Sequence, residues 1–248
     1  MGNPKLFKHT IFENIKFLLI LNEKTVNGKQ LPSYIDHTTL KIDTKKADIK
    51  KLCTEAEVNK FYAVCVPPYF VQNASMLLKD SDVKIATVIG FPLGYSATPS
   101  KAAEIHKAID DGADELDVVI NVSAVKSGDW NYVQNDIKTV ALATQMKGKI
   151  IKVILETGLL NKKEIKKLCE ICAEAGVNFV KTSTGFNGEG ATVEVVEFLR
   201  ANLPSSIKIK ASGGIKSTKK ALKMIEAGAD RLGASSGIKI IKGIEKLS

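Results

Sequence analysis

The stretch EAGVNFVKTSTG (residues 174–185) joins a helical segment to a short β-rich segment, and the similar stretch EAGADRLGASSG recurs at residues 226–237. DGADELDVVIN (111–121) aligns with both when its glycine is set on theirs. Each glycine is well placed just after a helix C-terminus, where a left-handed backbone is needed. The repeat therefore predicts a recurring unit of helix, tight turn and strand.

The same alternation extends over most of the chain. Segments with helical periodicity separate eight β-rich runs, as expected for strands interleaved with helices. The runs are SYIDHTT (33–39), FYAVCVP (61–67), KIATVIG (84–90), ELDVVIN (115–121), KIIKVILET (149–157), NFVKTSTG (178–185), SIKIKASGG (206–214) and DRLGASSG (230–237). Apolar strands between amphipathic helices indicate a parallel sheet covered by helices. Eight units favour an α/β fold closed into a (β/α)8 TIM barrel, with an open doubly wound sheet as the alternative.

Two regions are expected along the chain. No linker or low-complexity tract divides residues 34–248, which we interpret as one barrel domain. Residues 1–33 are interpreted as an N-terminal helical extension, in which IFENIKFLLILN (11–22) favours an amphipathic helix. Its apolar run is far too short for a membrane span, so we expect no membrane association.

Composition narrows the class of protein. The 36 basic and 27 acidic residues leave a net charge of +9, carried by lysines scattered along predicted helices. No basic run is interleaved with aromatic residues, so we expect a solvated surface and no nucleic-acid partner. Four cysteines are too few for a disulfide scaffold and favour a reducing, cytoplasmic location. Cys169 and Cys172 lie on a predicted helix, where core packing explains them better than a metal site.

Charged side chains occupy strands that should be buried. Lys152, Lys181 and Lys210 lie on three consecutive predicted strands, and Asp117 lies on the strand before them. The repeat places Asp117, Lys181 and Gly233 at equivalent depth. Strand side chains alternate between faces, so a barrel directs such residues toward a common axis. One lysine alone could be a snorkelling side chain, but four charged residues together indicate a reactive amine.

The expected chemistry follows from the pKa of a buried lysine. Desolvation and a neighbouring cation both lower that pKa. Two ammonium groups about 6 Å apart at an effective dielectric of about 20 repel by about 3 kcal/mol, or about two pKa units. The neutral amine of Lys181 would then attack a carbonyl and form a Schiff base. Asp117 is the expected proton relay, together with Lys210 and water.

Loops after the last two strands are candidates for phosphate binding. Gly213 and Gly214 follow the seventh strand, and GASSG (233–237) covers the end of the eighth, just before a predicted helix. In (β/α)8 barrels these loops often bind phosphate through backbone N–H groups. Such glycines are weak evidence alone, but their position favours a phosphate site.

Residues near other strand ends are further candidates. Asp36 and Thr38 on the first strand could bind substrate hydroxyl groups. His37 points to the opposite face of a regular strand and is interpreted as structural. Cys65 could contact substrate, although a packed core thiol is the simpler interpretation.

The motifs also resemble a known family. YIDHTTLK, VCVPP, VIGFPLG, DELDVVINV, IKVILETG, FVKTSTGF, IKASGGI and LGASSG occur in order over residues 34–240. In this order they resemble the 2-deoxy-D-ribose-5-phosphate aldolase family, class I aldolases with a (β/α)8 fold. The resemblance implies reversible cleavage of 2-deoxy-D-ribose 5-phosphate to D-glyceraldehyde 3-phosphate and acetaldehyde in deoxyribonucleotide catabolism. It also implies that no metal or cofactor takes part.

Site residues are carried over by motif. The resemblance implies that Lys181 is the Schiff-base lysine, that Asp117 is the proton relay and that Lys210 perturbs the pKa of Lys181. It implies a supporting role for Lys152. The implied contacts to substrate and phosphate are Thr182, Gly185, Gly213, Gly214, Ser235 and Ser236. Glu189 departs from the family pattern, because many relatives carry a neutral or basic residue there. Phosphate affinity is expected to be lower if Glu189 faces the phosphate-binding loops.

Three alternatives stay open. Another Schiff-base aldolase or transaldolase would share the lysine and the phosphate loops, whereas a sugar-phosphate isomerase would need an acid–base pair and no imine. A non-catalytic metabolite sensor would not need the lysines.

The expected partners are small phosphorylated sugars and aldehydes. Barrels of this type often dimerise, so a homodimer is an open expectation.

Overall fold

Residues 30–244, the part of the chain that this computed structural model describes, alternate between strand and helix. Eight parallel strands close into a barrel in sequence order, with the last strand paired to the first. The strands are β1 Ile35–Thr38, β2 Ala63–Val66, β3 Lys84–Ile89, β4 Glu115–Val119, β5 Ile150–Ile154, β6 Phe179–Lys181, β7 Lys208–Ser212 and β8 Arg231–Ala234. The predicted (β/α)8 barrel is confirmed, and the open doubly wound alternative is wrong.

Helices connect the strands on the outside of the barrel. They are α1 Lys46–Val58, α2 Val71–Leu77, α3 Thr98–Asp110, α4 Val122–Lys126, α5 Trp130–Gln145, α6 Lys162–Glu174, α7 Val193–Asn202, α8 Thr218–Glu226 and α9 Gly237–Lys242. Short 3-10 turns occur at Leu31–Tyr34, Pro68–Phe70 and Thr157–Leu159. Between residues 30 and 244, none of the helices has the length and apolarity needed to cross a bilayer.

The structure describes the N-terminal region only from Gln30 onward. The predicted helix IFENIKFLLILN (11–22) lies outside the described residues. The boundary between residues 33 and 34 falls within the turn Leu31–Tyr34 and stays a prediction, because most of the extension before it lies outside the described residues. The part of this region that the structure describes, from Gln30, leads through the turn Leu31–Tyr34 directly into β1.

The three repeated glycines end helices as the sequence predicts. Gly112, Gly176 and Gly228 follow α3, α6 and α8 and have φ values of 106°, 64° and 111°. At Gly112 a side chain would also collide with Ser75, because a Cβ there would lie 2.4 Å from its Oγ. The chain can therefore reverse from helix to strand over a few residues, which sets the depth at which each strand begins.

Apolar packing stabilises the barrel mainly from outside. A large core lies between the strands and the helices, and it includes Cys169 and Cys172 on α6. Burial raises the pKa of the Cys169 thiol to about 12 and that of Cys172 further, so both thiols stay protonated and act as core groups. A second, smaller cluster of Cys65, Ala86 and Val88 lies apart from this core.

Strand register arranges the barrel interior in three layers of four residues. The lower layer is Ala63, Glu115, Phe179 and Arg231; the middle layer is Asp36, Ala86, Lys152 and Lys210; the upper layer is Cys65, Asp117, Lys181 and Gly233. Each middle-layer residue is in register with an upper-layer residue on one neighbouring strand and a lower-layer residue on the other. The lower and upper layers come from even-numbered strands and the middle layer from odd-numbered ones, as expected for this fold. Asp117, Lys181 and Gly233 therefore lie at one depth, as the repeat predicts.

Candidate active site

Three lysines surround one carboxylate inside the barrel. Asp117 Oδ1 accepts a hydrogen bond from Lys152 Nζ at 2.8 Å, and Oδ2 accepts from both Lys181 Nζ and Lys210 Nζ, each at 2.8 Å. All four residues are buried, with Lys181 exposing only 3% of its surface. The structure thus brings together the four charged residues that the sequence singled out.

Local chain geometry places the lysines at different heights. Lys181 is the last residue of β6, at the carboxyl end of the barrel, where the active sites of this fold lie. Lys210 is the third residue of β7 and is in register with Lys181, whereas Lys152 is in register with Asp117. The backbone after Lys181 stays tied to both neighbours, because Leu155 N–H donates to Lys181 O and Thr182 N–H donates to Lys210 O, each at 3.0 Å.

The pKa values of the three lysines diverge. Burial and the charge of Lys210 lower the pKa of Lys181, although Asp117 acts in the opposite direction. For Lys210, burial also lowers the pKa, but the contacts with Asp117 and Asp36 outweigh it and the pKa is raised. Asp117 and Glu115 likewise raise the pKa of Lys152 against the effect of burial. Lys181 is thus the lysine of this group that most readily becomes a neutral amine.

Asp117 remains a carboxylate in this environment. Burial favours the neutral acid, but Lys152, Lys181 and Lys210 outweigh burial and hold the pKa of Asp117 well below its ordinary value. An ionised carboxylate with a low pKa can accept hydrogen bonds from several ammonium groups at once. A proton placed on it is passed on readily, as a relay requires.

Sequence reasoning missed two charged residues in the layer below. Glu115 Oε2 lies 2.6 Å from Lys152 Nζ and 3.5 Å from Arg231 Nη1. Arg231 Nη1 also contacts Asp36 Oδ1 at 2.9 Å, and its guanidinium carbon stacks 3.3 Å from the centre of the Tyr62 ring. A signal existed, because Glu115 is two residues before Asp117 and Arg231 is two before Gly233. Each therefore shares an interior face with its partner.

The structure places Asp36 among the buried charges of the barrel interior. Its carboxylate is fully buried and contacts Lys210 and Arg231. Burial raises the pKa of Asp36, but these two cations outweigh burial and lower it to about 2. Asp36 therefore neutralises barrel cations, and binding of a substrate hydroxyl by its carboxylate stays a prediction. Thr38 Oγ1 donates to the backbone oxygen of Asp36 at 2.9 Å, so this hydroxyl also serves the strand end.

Thr182 is likewise engaged within the barrel wall. Its Oγ1 donates to Ser212 O and accepts from Ser212 N–H, both at 3.1 Å. Thr182 therefore bridges the ends of β6 and β7, and its contact with substrate stays a prediction. Lys152, for which the resemblance implies a supporting role at the substrate site, is fully buried beneath Asp117 and contacts that carboxylate.

Cys65 and His37 lie on opposite sides of the barrel wall. Cys65 is fully buried in the inner cluster, and burial raises the pKa of its thiol, which keeps it protonated. His37 is buried outside the barrel, with Nε2 2.8 Å from Glu55 Oε2 and its ring against Phe61. The structural interpretation of His37 is confirmed.

The predicted phosphate loops are formed by closely spaced glycines. Gly185, Gly213 and Gly214 have φ values of 84°, 90° and 71°, which only glycine adopts readily. A Cβ at Gly213 would lie 2.7 Å from Gly190 Cα, so the loops after β6 and β7 are in backbone contact. Within residues 30–244, the N–H groups of Gly185, Gly213 and Gly214 have no backbone acceptor. Unpaired N–H groups in left-handed loops form anion-binding concavities.

Charged and hydroxyl groups surround these loops. Lys220 Nζ lies 3.4 Å from the position of a Cβ at Gly214. Ser235 and Ser236, after β8, border a cavity of about 720 Å³ that is also lined by Lys239 and Lys242. Glu189 is exposed, and its backbone packs against Gly158. Gly185, Gly213 and Gly214 therefore lie close together beside Lys220, whereas the cavity that Ser235 and Ser236 border also reaches His37 outside the barrel.

An apolar groove occupies the other side of the mouth. It has a volume of about 750 Å³ and runs from exposed aromatic rings down to Val88. Val88 is in register with Asp117, so the groove ends beside the buried charges. Phe186 joins the two sides of the mouth, since it follows Gly185 and packs edge-on against Phe91 at 5.1 Å between ring centres. An aldehyde reaching Lys181 would thus meet polar glycine loops on one side and apolar rings on the other.

Comparison with known proteins identifies similar chains. The family described as "DeoC/LacD family aldolase" matches residues 32–243. The deoxyribose-phosphate aldolase of Thermococcus gammatolerans is 52% identical over 218 residues, covering 87% of this chain and 97% of that protein. Deoxyribose-phosphate aldolase 1 of Bacillus licheniformis is 50% identical over 216 residues, covering 87% and 96%. The tetrameric deoxyribose phosphate aldolase structure from Aeropyrum pernix is 32% identical, with a TM-score of 0.85 and coverage of 91% and 95%.

Proposed function

The chain belongs to the DeoC/LacD family of aldolases, and we propose that it cleaves 2-deoxy-D-ribose 5-phosphate with Lys181 as the Schiff-base amine. The observation that carries this assignment of roles is the shared contact of Lys181 and Lys210 with Asp117 Oδ2. That contact brings a second cation close to Lys181 while leaving Lys181 the more weakly paired of the two. The products are D-glyceraldehyde 3-phosphate and acetaldehyde, and the reaction is reversible.

Charge balance within the barrel supports a neutral Lys181. Seven ionisable groups form one buried network: Asp36, Glu115, Asp117, Lys152, Lys181, Lys210 and Arg231. If all were charged, the network would carry one excess positive charge, which is costly in a poorly solvated interior. With Lys181 neutral, three carboxylates balance three cations. The proton of Lys181 is therefore the one that the network gives up at least cost.

Imine formation then uses groups already in contact. The neutral Nζ of Lys181 attacks the C1 aldehyde of the open-chain sugar and forms a carbinolamine. Asp117 Oδ2, within 2.8 Å of Nζ, accepts the proton released from nitrogen. Asp117 passes that proton to the carbinolamine oxygen, a second proton delivered from solvent lets the hydroxyl leave as water, and a C1 iminium remains. Asp117 moves these protons with the help of water, while Lys210 stays charged beside it.

The iminium promotes carbon–carbon cleavage. When the C3 hydroxyl gives its proton to water, the C2–C3 bond breaks and its electron pair moves toward C1 and the positively charged nitrogen. D-glyceraldehyde 3-phosphate leaves, with C3 as its aldehyde carbon. The resulting enamine is neutral, so the step restores the charge balance of the network. Protonation of the enamine at C2 and hydrolysis of the imine release acetaldehyde and return the Lys181 amine.

Phosphate binding fixes the sugar for this reaction. We propose that the N–H groups of Gly185, Gly213 and Gly214 bind the 5-phosphate, together with Ser235 and Ser236. The left-handed loops and the neighbouring Lys220 support this assignment. A phosphate held on the β6–β8 side anchors the chain of carbon atoms, whose aldehyde end then extends toward Lys181.

Borohydride trapping tests the role of Lys181. The protein is incubated with acetaldehyde and sodium borohydride, digested, and mapped by mass spectrometry. We expect a reduced ethyl adduct on Lys181 and none on the same peptide of Lys181→Ala. The Lys181→Ala variant should keep its circular dichroism spectrum and lose activity, because the amine serves chemistry rather than packing. An intact Lys181 after trapping of active protein would contradict the proposal.

A substrate panel separates the alternatives. Turnover of deoxyribose 5-phosphate together with the Lys181 adduct is expected. A transaldolase or another aldolase would instead prefer fructose phosphates, and an isomerase would turn over a sugar phosphate without any trapped adduct.

Assembly and location are further parts of the proposal. We infer a homodimer in the cytoplasm. Four buried cysteines without a disulfide within residues 30–244 support a reducing compartment. The tetrameric structure of the Aeropyrum pernix relative supports self-association of the chain. Light scattering after size-exclusion chromatography measures the mass directly, and a monomer at working concentrations would contradict the dimer.

A further inference from the structure

Two charged residues lie beneath the reacting groups and take no part in the chemistry described above. Glu115 and Arg231 belong to the lower layer and expose 1% and 5% of their surface. Burying a charge costs desolvation free energy unless the charge is paired, so the groups that Glu115 and Arg231 contact are informative. Neither is in contact with Lys181, and both lie on the side of Asp117 away from the barrel mouth.

Two chains of contacts connect these residues to Lys181. Glu115 contacts Lys152, which contacts Asp117 Oδ1 at 2.8 Å, and Asp117 Oδ2 contacts Lys181 at 2.8 Å. Arg231 contacts Asp36, which contacts Lys210, and Lys210 contacts the same Asp117 Oδ2. The two chains meet at Asp117 and are also joined at their lower end, where Arg231 contacts Glu115.

We propose that Glu115 and Arg231 are positioning residues that set the protonation state of Lys181 from the closed end of the barrel. Glu115 holds Lys152 charged and in contact with Asp117. Arg231 holds Asp36 ionised, and Asp36 in turn competes with Asp117 for Lys210. The inference rests on the proposed role of Lys181, because it concerns the amine that forms the imine.

The interior offers few other charges that could compensate for a substitution. The titratable groups facing this space are Asp36 on β1, Cys65 on β2, Glu115 and Asp117 on β4, Lys152 on β5, Lys181 on β6, Lys210 on β7 and Arg231 on β8, while β3 contributes the apolar Ala86 and Val88. Among them, the lysine with a lowered pKa is Lys181. A lost charge elsewhere in the network is therefore expected to move the protonation of Lys181 first.

The two residues carry opposite charges, so their removal should have opposite effects. Glu115→Gln removes a negative charge, which disfavours the ammonium form and lowers the pKa of Lys181. Arg231→Met removes a positive charge and raises it. The contacts place Glu115 within about 10 Å of Lys181. At an effective dielectric of about 20, removing a unit charge at that distance shifts the pKa of Lys181 by about one unit.

The test is the pH profile of imine trapping with acetaldehyde and borohydride, measured on the full chain. We expect the half-maximal pH to fall by about one unit in Glu115→Gln and to rise by about one unit in Arg231→Met, a change of about tenfold in rate at a fixed pH below both midpoints. Glu115→Gln/Arg231→Met keeps the net charge of the network and should return the midpoint to that of the unsubstituted protein. Arg231→Lys keeps the positive charge, so its midpoint should match that of the unsubstituted protein.

Controls separate this role from general destabilisation. Asp136→Asn disrupts another buried ion pair, with Lys101 between α3 and α5, and should lower thermal stability without moving the midpoint. If Arg231→Met does not fold, Glu115→Gln and the double variant decide. Unshifted midpoints in folded variants, or shifts of the same sign for both, would overturn the inference. If the unsubstituted protein forms no adduct on Lys181, it is the proposed function that fails.

Discussion

Lys181 and Lys210 share one oxygen atom, Asp117 Oδ2, which lies 2.8 Å from each of their nitrogens. The two nitrogens are therefore separated by no more than twice that distance. Lys210 has a second carboxylate partner in Asp36, whereas Lys181 has Asp117 alone among the described residues. This inequality explains why the pKa is lowered for Lys181 and raised for Lys210, and it supports the proposal that Lys181 is the nucleophile.

The lowered pKa of Lys181 predicts a pH dependence for imine formation. The neutral amine is present above its pKa, so the rate of borohydride trapping should rise with pH and level off. The midpoint should lie below the value of about 10.4 of an ordinary lysine. A matched titration of Lys210→Met should have a higher midpoint, because the neighbouring cation is gone. A midpoint at or above the ordinary value in the unsubstituted protein would be inconsistent with a depressed pKa.

Replacing Asp117 should separate trapping from turnover. Asp117→Asn keeps the size of the side chain but removes the proton acceptor, so kcat should fall by about 10²–10⁴-fold. Lys181 should still be labelled by acetaldehyde and borohydride, because removal of the carboxylate disfavours its ammonium form. Steady-state kinetics and adduct mapping on the same preparation check this, and full turnover by the variant would exclude a relay role for Asp117.

Asp36 should contribute to stability in a defined pH range. Lys210 and Arg231 lower its folded-state pKa to about 2, below the ordinary value of 3.8. A depressed carboxyl pKa stabilises the folded state above pH 4, and this contribution is lost as the pH falls toward 2. It corresponds to about 2 kcal/mol. Urea unfolding from pH 5 to 2 should therefore show a shallower loss of stability for Asp36→Asn than for the unsubstituted protein, and parallel curves would contradict the linkage.

Gly233 leaves space for Lys210. A Cβ at this position would lie 3.1 Å from Lys210 Cε and 3.0 Å from Ser212 Cβ, both closer than ordinary contact. Gly233→Ala should displace the Lys210 ammonium from Asp117 and reduce kcat by about tenfold. Gly128→Ala is a control for the added methyl group, because no atom lies within 4 Å of a Cβ there, although its positive φ adds a stability cost that Gly233 does not have. Equal kcat values for the two variants would show that Lys210 tolerates the added methyl group.

Two charges near the predicted phosphate loops, the half-buried Lys220 and the exposed Glu189, should affect substrate binding in opposite directions. Lys220→Gln removes a cation beside Gly214 and should raise KM for deoxyribose 5-phosphate about twofold to threefold. Glu189→Gln should lower KM by a similar factor if the Glu189 carboxylate faces the phosphate loops. Both effects should shrink in high salt, because the charges are screened. Unphosphorylated deoxyribose is the control substrate, and equal changes in its KM would argue against a phosphate contact.

The order of the elements was predictable from sequence, and so was the burial of Lys181 close to Asp117 and Lys210. Helix-ending glycines and period-two alternation are local properties, and they predicted eight strand–helix units with Asp117 and Lys181 at one depth. The proposed catalytic role of Lys181 followed from the presence of several charges on strands that had to be buried. The family resemblance added the substrate, and similarity over 97% of the Thermococcus gammatolerans protein agrees with it.

Pairing between side chains could be decided only by the closed barrel. The sequence alone determined which residues face inward, because alternation along one strand is local. It did not determine that Arg231 on β8 would meet Asp36 on β1 and Glu115 on β4, because those contacts depend on the stagger between strands that closes the barrel. The tertiary structure therefore decided that Asp36 balances barrel cations, that Thr182 bridges two strands and that Lys181 is left with a single carboxylate.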